Sequence, residues 1–141
     1  MMKLIVPAAG IGTRLRPHTL ALPKTLIPIA GKPVIDRLLE PLLPFLSEMI
    51  FIVGERSGLL QQHICQSYYK PVHFVHQEKQ EGLGHAISQA GPYVDDEPIL
   101  IVLDDGIFEL DPERVINSPD SLIGVRAVDT LTTQVLSVLS K

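Results

Sequence analysis

Residues 3–24 read KLIVPAAGIGTRLRPHTLALPK, an apolar run at Leu4-Ile5-Val6 that passes directly into a loop carrying Gly10, Gly12, Arg14, Arg16, Pro17, Pro23 and Lys24. The run shows no polar alternation, which is the pattern of a strand covered on both faces of a parallel sheet. The segment behind it is punctuated by glycine and proline and cannot easily continue as strand or helix. In open α/β sheets the loop after the first strand is the usual contact for phosphate. The chain as a whole has a net charge of −4, so a cation-rich loop of this kind marks a local anion site.

Outward from this loop, short apolar runs bounded by Gly, Pro or charge predict strands at residues 3–8, 49–53, 72–76, 99–103 and 122–128. The run ILIVL at 99–103 is apolar throughout and is also expected to be covered on both faces. Between the strands, helical patterns fall at 34–46, 58–69 and 83–93, with a short one at 112–116. Pro41 and Pro44 lie inside the first of these, so that helix is expected to kink or to break near Glu40. Alternation of strand and helix gives a Rossmann-like, doubly wound α/β fold, a mostly parallel sheet with helices on both faces. Residues 129–141 fit helix and strand equally and stay unassigned.

The bulk numbers set limits. A chain of 141 residues, 45% hydrophobic and 20% charged, is ordinary globular material for one domain. Net negative charge argues against a protein whose main partner is a nucleic-acid backbone. Cys65 is the single cysteine and cannot form an internal disulfide, which suits a reducing compartment. The apolar run near the start is about six residues, below the roughly 7–15 of a signal-peptide core, and no stretch approaches the ~20 of a membrane span. The expectation is a soluble, cytoplasmic protein without a membrane partner, self-association being left open.

Two glycine motifs can be tested against the first loop. The dinucleotide fingerprint needs a third glycine where Leu15 stands, and the ATP-binding P-loop needs glycine at Leu26 and Ser or Thr at Pro33. Both fail. What remains is a loop whose Gly10 and Gly12 allow backbone N–H groups to approach an anion, with a hydroxyl from Thr13 and a planar fork from Arg14. Pro17 and Pro23 stiffen the path that returns Lys24 to the same place. Convergent cations and N–H donors point to a polyphosphate.

The stretch AAGIGTRLRPHTLALPKTLIPIAGKPVID resembles the signature of the sugar-1-phosphate nucleotidyltransferases, and the likeness runs on through EKQEGLGHAI and LIVLDDGIFELD to about Val128. That resemblance implies a nucleotide-binding part over 1–128, with a pyrimidine nucleoside triphosphate (dTTP or UTP) and a sugar 1-phosphate, glucose 1-phosphate in the first instance, as substrates. It implies that Ala8, Ala9 and Gly10 border base and ribose, while Gly12, Thr13, Arg14 and Lys24 hold the triphosphate, Arg14 and Lys24 being catalytic. It further implies that Gln77 reads the base edge, that Gly82 supplies backbone contact, and that Asp105 holds Mg²⁺. At Asp104 the family usually has glycine or proline, so this residue departs from the pattern; Glu109 and Asp111 read as solvated or helix-capping carboxylates. The family's later half carries a sugar-phosphate lysine and a second metal aspartate. After Val128 the only lysine is Lys141 and the last carboxylate is Asp129, so the sugar half is expected to be absent, the fold to be incomplete, and the chain to be either the front of a longer enzyme or a shortened nucleotide-binding relative.

Overall fold

The computed structural model describes residues 1–106 and 111–124, the side chain of Arg14 excepted. The expected strand at 122–128 lies mostly outside these residues, and 122–124 form no strand; Glu109 and the tail 129–141 also lie outside them. The chain divides into two units, Met1–Leu110 and Asp111–Lys141.

The first unit is built on a four-stranded sheet, made of β1 (Met2–Ala8), β4 (Leu46–Val53), β5 (Val72–His76) and β6 (Ile99–Ile101) in the order β5-β4-β1-β6. All three pairings are parallel, with Ile5 opposite Ile50 and Ile101, and Ile50 opposite His73. The chain winds from β1 outward through β4 to β5, then crosses back to add β6 on the other side of β1. Order therefore reverses at β1, which makes the carboxyl ends of β1 and β6 the crevice where such sheets bind ligands. A small hairpin of β2 (Pro28–Ile29) and β3 (Lys32–Pro33) turns through Ala30 and Gly31, both at positive φ.

Side-chain alternation along the central strands sends Ile5, Ile50 and Ile52 to one face. There they pack with Ala86 and Ala90, contributed by and just after α3 (Leu83–Ser88). The alternate set, Leu4, Val6, Met49, Phe51 and Val53, is equally buried, so the second face is covered as well. The rings of Phe51 and Phe74 stack there at a centroid distance of 5.7 Å. β6 is the exception to the expected double cover. Among the described residues it pairs with β1 alone, and Ile99, Ile101 and Leu103 are 39%, 41% and 40% exposed.

Element ends follow local chemistry. α1 covers Val34–Leu39, so the 34–46 pattern breaks at Glu40 as expected, because Pro41 and Pro44 lack the N–H a helix needs; Glu40 closes it with its N–H on the Asp36 carbonyl at 3.0 Å. Pro44 sits in a 3₁₀ turn (Leu43–Phe45), and β4 begins at Leu46, ahead of the expected start. α2 (Gly58–Ser67) and α3 are each shorter than their apolar patterns, the latter giving way to a 3₁₀ turn at Gly91–Tyr93 where Pro92 stands. Asp36 joins α1 to α2: its Oδ1 accepts from the Tyr68 hydroxyl at 2.6 Å and stands 2.7 Å from His63 Nε2. At the amino end of β1, Lys3 donates to the Tyr93 carbonyl and pairs with Asp95 and Glu48, whose other oxygen faces His73.

In the second unit, α4 (Pro112–Ile116) is capped as expected by Asp111, which accepts from the N–H groups of Glu113 and Arg114 at 3.1 and 3.3 Å. Among the described residues no helix is long and apolar enough to cross a membrane.

Candidate functional site

β1 delivers its chain to the crevice at Ala8, and the next residues are shaped by what lies against them. A Cβ on Gly10 would meet Lys24 Nζ at 3.4 Å, and one on Gly12 would meet Thr19 Cγ2 at 3.0 Å and Lys24 Cβ at 3.1 Å. Gly12 also holds φ +66°, where a side chain is strained. These are the close approaches the paired glycines permit: the Lys24 stem lies across both. The Thr19 hydroxyl donates to the Gly12 carbonyl at 2.8 Å and holds the loop in that shape. Thr13 and Arg14 follow in a 3₁₀ turn (Thr13–Leu15) with Thr13 exposed.

Pro23 opens the turn Lys24–Leu26 that brings Lys24 back beside Gly10. Its ammonium reaches β6's carboxyl end, 2.7 Å from Asp104 Oδ1 and 3.6 Å from Asp105 Oδ2. Asp104 is 3% exposed, and its Oδ2 is buried without a hydrogen-bond partner. Burial is the main influence on this carboxyl, raising it from 3.8 to about 6 in spite of the Lys24 charge. The Asp105 side chain is 63% exposed. The residue that looked like a departure from pattern is thus the close partner of Lys24, and its neighbour faces outward.

The third wall comes from the segment after β5. Gln77 is 6% exposed, and its N–H continues the ladder to the Val53 carbonyl at 2.9 Å. The Gln80 amide donates to the Ala9 carbonyl at 2.7 Å, tying this segment to the first loop. Gly82 precedes α3 at φ 95°. Together Gly10, Lys24, Gln77, Gly82, Asp104 and Asp105 border a cavity of about 290 Å³. A second cavity of about 440 Å³ shares Ala9, Gly10, Lys24 and Gln77 and extends past Ala8 towards Arg56 at the start of α2.

Of the residues expected from sequence, Ala8, Ala9, Gly10, Lys24, Gln77, Gly82 and Asp105 meet at these two cavities. Gly12 shapes the loop beside them, and the Arg14 side chain lies outside what is described. Sequence reasoning missed Thr19, Gln80 and His85: Gln80 acts on Ala9, far away in the chain, while Thr19 on Gly12 and His85 on Gln77 make nearer contacts that no motif or periodicity marks. Among the described residues no three His, Cys, Asp or Glu side chains gather as a metal cluster. A cation at Asp104 and Asp105 would draw its remaining oxygens from ligand and water, which is how Mg²⁺ is commonly held.

The family described as "Nucleotidyl transferase" matches residues 3–127. The UTP–glucose-1-phosphate uridylyltransferase 2 of Staphylococcus saprophyticus is 32% identical over 93% of this chain and 56% of its own length. The chain spans about half the length of the curated relatives it matches. A UDP-glucose pyrophosphorylase solved with UDP-glucose superposes with a TM-score of 0.66 at 29% identity, covering 74% of this chain and 46% of that one. A Bacillus anthracis protein assigned as a glucose-1-phosphate thymidylyltransferase gives 0.69 at 25% identity, covering 79% and 47%. Fold, loop and comparisons agree, and the chain belongs to the nucleotidyl transferase family.

Proposed function

We propose that this chain holds a pyrimidine nucleoside triphosphate, UTP or dTTP, for transfer of its nucleoside monophosphate to a sugar 1-phosphate, glucose 1-phosphate in the first instance. The observation that carries the reading is the convergence of Lys24, Gln77 and the Asp104-Asp105 pair on one cavity at the reversal point of the sheet. In the reaction a phosphate oxygen of the sugar 1-phosphate attacks the α-phosphorus, the bond to the bridging oxygen breaks, and pyrophosphate leaves with the electron pair. Little covalent chemistry falls to the protein, so positioning and charge stabilisation dominate.

Gly10 and Gly12 let backbone N–H groups approach the phosphates, with Thr13 adding a hydroxyl. Arg14 and Lys24 offset negative charge on the α-phosphate and the leaving pyrophosphate. Ala8 and Ala9 border the base and ribose, Gln77 pairs with the base edge, and Gly82 offers backbone. Asp105, exposed at the rim, and Asp104, with an unpartnered oxygen, form a donor set that suits Mg²⁺. The ion would be held by Asp105 and would supply further charge stabilisation.

A reducing, cytoplasmic setting suits nucleotide-sugar synthesis and the lone Cys65. One alternative is a nucleotide-binding module that transfers nothing by itself. A panel of triphosphates with glucose 1-phosphate, followed by pyrophosphate release, separates the two. Release with UTP or dTTP supports the transferase, and nucleotide binding without release supports the module.

A further inference from the structure

The amide of Gln77 is not free to turn. Its nitrogen stands 2.9 Å from Nδ1 of His85, which lies on α3. In that contact the amide N–H donates and Nδ1 accepts, so the ring carries its proton on Nε2. Of the groups near Nε2, the Glu81 carboxylate 3.8 Å away can receive its N–H, while the Gln89 amide presents its nitrogen at 3.2 Å and must turn its oxygen to the ring to accept. With the amide nitrogen engaged by His85, its oxygen is the group Gln77 offers to the cavity it lines.

An oxygen at that point accepts from a base that carries N–H on its pairing edge, as uracil and thymine do at N3. Cytosine brings a bare lone pair there and would leave two acceptors facing each other. We propose that His85 is a positioning residue that fixes the Gln77 amide and so selects imide bases over cytosine. This role rests on the reading of the cavity as a nucleoside triphosphate site.

UTP and CTP titrated into the 141-residue chain by calorimetry test it. The wild type is expected to favour UTP by about tenfold or more, the usual consequence of an unpaired buried polar group. His85→Ala, and His85→Leu as a second variant without an acceptor, are expected to bring the two affinities to within about threefold. His85→Asn, whose carbonyl oxygen can replace Nδ1, is expected to keep the wild-type ratio. An unchanged ratio in the Ala and Leu variants, or equal binding of UTP and CTP by the wild type, overturns the role of His85 and leaves the nucleotide site standing. A wild-type chain that binds neither triphosphate overturns the nucleotide site itself.

Discussion

Lys24 is anchored at both ends of its side chain: the stem lies across Gly10 and Gly12, and the ammonium sits on Asp104. The glycines are therefore as much a bed for this lysine as a cradle for a ligand. Gly12→Ala is expected to cost about 2 kcal/mol or more, combining left-handed strain with contacts on Thr19 and Lys24. Gly31→Ala is the control, because Gly31 holds φ +78° but its Cβ would enter open space, so it is expected to cost only the strain of about 1–2 kcal/mol. Denaturant unfolding of both variants measures the difference, and equal losses would remove the packing role of Gly12. At this scale the sequence was informative where chemistry is local. Gly10, Gly12 and Lys24 could be read from one loop, but the partner of Lys24 lies in the turn beyond β6, about eighty residues later, and nothing in the spacing announces it. His85 was illegible for a different reason: its partner Gln77 is only eight residues away, but the contact crosses a loop and follows no helical or strand period.

Among the elements, the strands were legible wherever both faces are buried, as in β1 and β4, because an uninterrupted apolar run has few other uses. β6 has the same kind of run and yet, among the described residues, pairs with β1 alone, since the number of neighbours a strand has is a property of topology and not of composition. The break after α1 was legible in Pro41 and Pro44, whereas the length of α3 was overestimated because apolar periodicity continues through Pro92. The junction of α1 and α2 shows a contact that periodicity cannot register: Tyr68 and His63 both address Asp36 Oδ1. Burial, and then the adjacent Asp36 carboxylate, holds the Tyr68 hydroxyl protonated well above its ordinary range. Tyr68→Phe removes one donor to a buried carboxylate and is expected to lower stability by about 1–2 kcal/mol in equilibrium unfolding. A Phe variant as stable as wild type would mean that His63 alone satisfies Asp36.

For the whole molecule, Asp104 at one end of the sheet and Glu48 with Asp95 at the other push stability in opposite directions with pH. The folded state holds Asp104 protonated up to about 6 against an ordinary 3.8, so its stabilising contribution is complete below 3.8 and is lost as pH rises through 6. Bonds from Lys3 keep Glu48 and Asp95 below their ordinary values, so their contribution is present above those values and is lost as the chain is acidified through the lowered ones. Stability in the absence of divalent cations is therefore expected to peak on the acid side of neutrality. Asp104 should account for a fall of about 1–2 kcal/mol between pH 5 and pH 8. Asp104→Asn should lack that fall, and a variant with the wild-type pH profile would contradict the assignment.

The triphosphate site proposed at the reversal point of this sheet requires Lys24 to meet the phosphates. Calorimetric titration of UTP into the wild-type chain and into Lys24→Ala tests it most directly. The expected result is saturable binding by the wild type, weakened by about tenfold or more in the variant, as for loss of a charged hydrogen-bond donor. Equal affinity in the two proteins, or no binding by the wild type, would contradict it.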